Sequence, residues 1–508
     1  MRRYGRTSAS LTILPLLFFS FTALTAQSTP TLNTVSLTVT NQPHSKNSWG
    51  TPLIGHLANG VRFAILPRKG DDPGIGLLMR NEGGFIAEHR AGERGLAHLI
   101  EHIAFHSPTV AAPDDLDHLK RIGLPLTFPA PDAGSTSWRE TNYYLSAKTA
   151  AQSDLGSLLT LLRDAASGMS LRTDAVDTSR GEVVREMADK KLGNQIYASY
   201  IHEVAPGSPN DVIDAQNSDD VPIASISTIR GLYRRLYRPE NMMIVVVGNV
   251  EVNKVRALIE RRFGDWKSMG PTSRKTPFPV FQPDRIQPVS FSALPQGRRT
   301  AFMTVVMPTP RPPISLTLQA RAEIMDSLVT RAINDRLAAL QPGSLPGKVG
   351  IFIENGEQGH RQIMLWDNFA EDQWKPAVAG LRKSACDLAT VGFTTKEWAA
   401  AKQNLVVDLE HHVAEMPMAA NVEIAKNLSH ALADGRHLIP PDELLRYART
   451  MLLQIDGHSG SEWWRQQWSS GTGHLRVEAP ELARIENPLS AIRSAANGPA
   501  IISTCKAL

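Results

Sequence analysis

The stretch "GLAHLIEHIAFHS", residues 95–107, places three histidines and a glutamate within thirteen residues. Read as a helix, it puts His98 and His102 one turn apart on one face. Two imidazoles so placed can reach one ion at the roughly 2.0–2.1 Å that Zn2+ prefers. Glu101 follows His98 by three residues, about 60° around the helix, so its carboxylate lies beside such an ion rather than under it. That position suits a general base acting on water, whose pKa zinc lowers to about 7. His106 is eight residues from His98, or ~12 Å along the axis, too far to share the ion, and reads as a polar residue at the helix end. The competing reading is a satisfied histidine pair on a helix surface, since short motifs also occur by chance.

The chain has 508 residues and begins "MRRYGRTSASLTILPLLFFSFTALTAQS". Arg2, Arg3 and Arg6 lead into an apolar run from Leu11 to Leu24, followed by small residues ending at Ala26. This is the layout of a secretory signal peptide over 1–26, with cleavage expected after Ala26. A membrane-spanning helix needs ~20 apolar residues, and Pro15, Ser20 and Thr22 interrupt a shorter run. With no cysteine nearby, no lipid anchor is expected. The sequence therefore predicts an exported protein without a stable membrane anchor, in the periplasm. Removing the leader takes three of the 54 basic residues and leaves 51 against 50 acidic ones. Such a balance gives no argument for nucleic acid or an anionic membrane as partner. Cys386 and Cys505 are the only cysteines and could pair in an oxidising compartment.

"HLANGVRFAILPRKGDDPGIGLLMRNEGG" reads as strand, polar turn and strand, at Val61–Leu66 and Ile75–Arg80. Helices are expected at Asp114–Ile122, Gln152–Met169 and Asp174–Leu192, with a strand in "ETNYYLSA". "ISTIRGLYRRLYRPENMMIVVVGNVEVNKVRALIERRFGDW" gives a helix, a proline stop, a buried strand at Met243–Val247 and a closing helix. "KSMGPTSRKTPFPVFQPDRIQP", from residue 267, is rich in proline and polar residues and lacks periodicity, which places an interdomain linker at 268–288. Beyond it similar elements recur. They are a strand at Thr300–Met307, a helix at Ile314–Leu340, strands near Ile351 and Ile363, helices at 371–389, 394–414 and 441–454, and a strand near His474–Val477. The economical reading is an α+β protein of two comparable domains, 45–267 and 289–490, with a loose tail at 491–508 and an ancient duplication behind them. The long helix after the linker has no histidine, so only the first domain can carry the motif's chemistry.

H-x-x-E-H is the inverzincin signature. "GLAHLIEHIAFHS" resembles the zinc-binding helix of the pitrilysin/insulinase family of zinc metallopeptidases, and "LYRRLYRPENMMIVVVGNVEVNKVRALIERRFGDW" resembles that family's later helix–strand–helix segment. The resemblance covers residues 56 to about 267 strongly and 290 to 480 weakly. It implies two homologous α/β-sandwich domains, the first catalytic and the second not, forming one half of the family's four-domain chamber. It also implies one Zn2+ per chain, held by His98, His102 and a downstream glutamate, with Glu101 as catalytic base. In "DTSRGEVVREMADKK" the glutamates are Glu182 and Glu186. The family's ligand follows two valines and precedes a hydrophobic residue, which selects Glu186. Glu182 is then read as a solvated helix charge, dispensable for metal.

Two departures stand out. A second family glutamate, two turns before the ligand, falls at Ser179, and the asparagine that begins the substrate-side strand appears as Ala133 in "DAGSTSWRETNYYL". Ala133, Ser135 and Trp138 are the candidate substrate-binding residues there, Tyr143 and Tyr144 serving equally well as core. Family members hold peptides as an added β-strand. The implied activity is zinc-dependent endopeptidase action on peptides or unfolded segments. A half-chamber would associate as a homodimer, or as a heterodimer with a second pitrilysin-like half. The alternative is a low-activity peptide-binding or structural subunit of such a two-chain complex. If the leader is cleaved as read, N-terminal sequencing of the native protein returns a start near Gln27, and Met1 would remove the case for export.

Overall fold

The computed structural model describes residues 49–106, 133–147, 152–209, 211, 218–268, 278–294, 298–308, 315–340, 349–355 and 359–496. The expected leader, the helix at Asp114–Ile122 and Cys505 lie outside them. Cys386 is disulfide-bonded.

In the first half the elements are β1 (Leu53–His56), β2 (Arg62–Pro67), β3 (Ile75–Asn81), α1 (Leu96–His106), β4 (Gly134–Thr136), β5 (Thr141–Ala147), α2 (Gln152–Ser167), α3 (Thr173–Val204), α4 (Ile226–Leu236), β6 (Met242–Gly248) and α5 (Val252–Phe263). The second half has β7 (Val289–Ser292), β8 (Thr300–Pro308), α6 (Leu316–Leu340), β9 (Val349–Asn355), β10 (His360–Asn368), α7 (Trp374–Thr390), α8 (Thr395–Glu415), α9 (Asn421–Ala433), α10 (Pro441–Met451), α11 (Gly457–Ser470), β11 (Thr472–Glu478) and α12 (Pro488–Ala495).

The described strands form two mixed sheets, ordered β1-β2-β6-β3-β5-β4 and β7-β11-β8-β10-β9. Without β1 the two orders correspond strand for strand, and so do the directions. The pair β2–β6 is parallel like β7–β11, and the remaining neighbours are antiparallel in both. The protein is therefore α+β with two like units. The first core lies between the first sheet and α1 to α5, and the second between the second sheet and its own helices.

The units also exchange helices. Ile424, Ala425 and Leu428 of α9 cover the far face of the first sheet, against Ala64, Leu66, Leu78, Met243, Val245 and Val247. Reciprocally, Ile201 and Val204 at the end of α3 pack with Phe281, Ile286 and Val306 of the second half, and the Tyr200 hydroxyl donates to Gln362 Oε1 at 3.1 Å. Cover on both faces explains why β3 and β6 are buried along their whole length and why β6 reads "MMIVVVG", an unbroken apolar run. The close approach needs Gly76, since a Cβ there would stand 2.2 Å from the Asn421 backbone carbon.

Three expectations change. The helix from Asp174 does not stop at Leu192 but runs to Val204, because its last turns are buried by the second half. The segment from 268 to 288 is not all solvated linker, since Phe281 and Ile286 are buried. The tail beginning at 491 is loose in neither its first turns nor its packing: α12 extends to Ala495, with Ile492 and Ala496 buried.

A charged cluster ties α9 to the first sheet. Glu82 accepts from Arg80 at 2.9 Å, Arg139 at 3.2 Å and Arg62 at 3.3 Å, and Arg139 also reaches Asp434 at 2.9 Å and the Ala433 carbonyl at 2.7 Å. Burial pushes the Glu82 carboxyl up, but the three guanidiniums outweigh it and bring it to about 2. A lowered carboxylate pKa stabilises the fold fully above the unfolded value and loses that contribution as pH falls through the folded one. Glu82→Gln is expected to cost about 3 kcal/mol at pH 7. In unfolding measurements the gap to wild type should close as pH drops from ~4.5 to about 2.

Candidate metal centre

Leu96, Ala97, Leu99, Ile100 and Ile103 turn α1 into the first core. Position i+4 repeats then carry His98, His102 and His106 along one line toward α3. In the first half of α3 the buried residues are Ala175, Val176, Ser179 and Val183, and Glu182 and Glu186 flank that stripe one turn apart. The helices run antiparallel, so the side chains interleave. Glu186 stands between His98 and His102, and Glu182 between His102 and His106.

Glu186 Oε2 lies 3.5 Å from His98 Nε2 and 3.4 Å from His102 Nε2. One ligand atom from each of the three residues falls within 4.8 Å of the others. A tetrahedral ion with arms of about 2.0–2.2 Å needs ligand atoms about 3.3–3.6 Å apart, so both glutamate–histidine spacings suit Zn2+. The two-imidazole, one-carboxylate donor set suits it as well. His98 and His102 are largely covered, while the Glu186 side chain is 33% exposed, which leaves one side open. Burial pushes the Glu186 carboxyl up, but hydrogen bonds from His102 and His98 and from Lys190, 2.6 Å away, hold it below the carboxylate range. Burial pulls the His102 imidazole down, and Glu186, Glu101 and Glu182 together raise it.

Glu101 is buried beside these groups. Its Oε2 accepts from Thr136 Oγ1 at 2.6 Å, and its Oε1 lies where a Cβ on Gly134 would come within 2.4 Å. Burial raises its pKa, against the pull of His98, His102 and the Thr136 hydroxyl. A raised carboxyl pKa moves such a group toward the range of a general base at neutral pH.

The other sequence candidates fall in varied places. Ser179 is buried and donates to the Ala175 carbonyl at 2.8 Å. Ala133 is buried, and its carbonyl accepts from Tyr144 N at 2.7 Å. Trp138 is buried, its ring 5.2 Å from that of the exposed Phe278. Ser135 is part-exposed on β4, its Oγ 2.7 Å from the Tyr144 hydroxyl. Tyr143 is core. Glu182 is not a solvated charge. Its side chain is 15% exposed, and its Oε2 lies 3.1 Å from His102 Nδ1 and 2.9 Å from His106 Nε2. Sequence reasoning passed over Thr136, Gly134 and Glu88. The Glu88 carboxylate accepts from Gly95 N at 2.8 Å and Ala97 N at 2.6 Å, capping α1 from eight residues upstream. Burial pushes it to about 8 despite those bonds.

Residues 83–205 match the family model described as Insulinase (Peptidase family M16), and residues 225–340 match that described as Peptidase M16 inactive domain. The two matches support the pitrilysin/insulinase family. The chain is 20% identical over 428 residues to the Escherichia coli protein named "Probable zinc protease PqqL", covering 82% of this chain and 44% of that one. It is 24% identical over 226 residues to "Zinc protease PqqE" of Helicobacter pylori, covering 44% and 49%. The chain thus spans about half the length of these curated relatives. Among solved structures, the first half of the periplasmic protease PqqL from E. coli superposes with a TM-score of 0.74 at 19% identity, over 88% of this chain and 97% of that one. A protease from H. pylori gives 0.64 at 17% identity, over 85% and 100%. These likenesses establish the family's half-length fold. Metal analysis of the purified chain is expected to find close to one zinc, and Glu186→Gln to lose it under mild chelation.

Proposed function

We propose that this chain is an exported zinc-dependent endopeptidase that hydrolyses peptide bonds in peptides or unfolded segments. The observation that carries this reading is the buried Glu101, fixed by Thr136 and Gly134 beside a His98–His102–Glu186 set spaced for Zn2+. Zinc, when bound, supplies Lewis-acid chemistry that lowers the pKa of water to about 7 and polarises a carbonyl. Glu101 takes the proton of the attacking water at its carboxylate and returns it to the leaving amine. β4 lies at the edge of the first sheet, next to Glu101. A substrate segment added there as a strand would bring its backbone to the site, with Ser135 beside it.

Export rests on the leader at 1–26, and a structural relative is described as periplasmic. Among the described residues no helix is long and apolar enough to cross a membrane. The chain matches 97% of a PqqL first half but only 50% of the whole PqqL chain. That supports a second pitrilysin-like half completing the enclosure. The rival reading, a low-turnover peptide-binding or structural subunit, draws on Ser179 and Ala133.

A quenched-peptide assay on the metal-loaded protein, alone and with any partner chain, separates the two. Glu101→Gln is expected to abolish hydrolysis while keeping about one zinc, and loss of metal with activity would mean that Glu101 has another role. Gly134→Ala is expected to retain zinc and lower kcat by roughly 10²-fold, because displacing the base by even ~1 Å is enough. Light scattering should find a two-chain assembly, and a fully active monomer would remove that part of the reading.

A further inference from the structure

We infer that Glu182, steadied by His106, is the positioning residue that prepares His102 to bind the metal, a duty that Ser179 cannot perform in this chain. The inference rests on the reading of His98, His102 and Glu186 as a zinc site.

His102 presents Nδ1 to Glu182 Oε2 at 3.1 Å and Nε2 toward Glu186. A carboxylate can only accept, so the ring nitrogen facing it must carry the hydrogen. When Nε2 gives its lone pair to a metal in place of its contact with Glu186, the ring keeps one N–H, and the Glu182 contact holds that hydrogen on Nδ1. Carboxylates that orient metal-binding histidines in this way fix ring and tautomer together. Glu182 in turn has a second donor, His106 Nε2 at 2.9 Å on the same oxygen. That bond keeps the carboxylate turned toward α1 instead of toward solvent. The spacing is what makes the relay possible. His102 and His106 are one turn apart on α1, and Glu182 and Glu186 are one turn apart on α3. Interleaving the antiparallel helices therefore seats one carboxylate in each histidine gap. Ser179, a turn further toward the start of α3, is buried with its hydroxyl committed to Ala175, and it carries no charge to offer.

The test uses the full chain and zinc alone, with affinity read by competition against a chromogenic chelator and the ring nitrogens by NMR of 15N-histidine-labelled protein. Glu182→Ala is expected to weaken zinc roughly 10–100-fold and to erase the His102 Nδ1–H resonance, with the unfolding temperature of the metal-free protein little changed. His106→Ala should weaken zinc in the same direction and add little on top of Glu182→Ala. His106→Gln, which keeps an N–H donor, should recover affinity, a rescue that a merely structural role for the ring would not give. Wild-type affinity in both Glu182→Ala and His106→Ala would overturn the inference and leave the zinc reading standing. A wild-type chain that takes up no zinc would overturn both.

Discussion

The antiparallel packing of α1 on α3 is the constraint on which the rest of the centre depends. It sets a line of three histidines against a pair of glutamates so that each carboxylate falls between two imidazoles. A slip of one residue along either helix would rotate side chains by about 100° and dissolve both gaps at once. The packing is held on each side of the line. The apolar face of α1 is sunk in the first core, its start is capped by Glu88, and Val183 of α3 is fully buried beside the glutamates.

That packing extends beyond the first unit. α3 is 32 residues long. Its early turns are buried in the first core, its middle carries Glu182 and Glu186, and its final turns are buried against the second sheet. The helix bearing Glu186 is thus anchored at both ends by different halves of the molecule. α9 returns the exchange on the far face of the first sheet, where Asn421 meets Asp72 and Gly74, and Arg68 donates to Asn421 Oδ1 at 2.6 Å. The second half, which offers no histidine in its long helix, still acts on the centre by fixing where α3 points.

Charge burial follows the same logic. Buried ionised groups are tolerated where partners compensate them. Arg80 and Glu140 pair at 2.9 Å, and Glu93 is gripped by Arg235 at 2.6 and 2.7 Å close to the start of α1. Glu101 has a hydroxyl donor and nearby imidazoles but no guanidinium among its named partners, and its carboxyl is held above the ordinary range.

The sequence by itself determined the local features. The one-turn spacing of His98 and His102, the placement of Glu101 beside them, the apolar run of β6 and the approximate bounds of β2, β3, β5, β8 and α8 all follow from short-range periodicity. Resemblance to the family pointed to Glu186 where geometry from sequence could not choose between it and Glu182. The short strands β1, β4 and β7 were not legible, because three or four residues carry too little pattern to read. Only the tertiary structure decided the places of Glu182 and His106, which are 76 residues apart and meet through helix packing alone. The same holds for α9, whose sequence marks an apolar face but not the sheet that face will cover, more than 170 residues away. Periodicity reports which side of an element seeks burial; the partner and the register of that burial are set by how all the other elements pack.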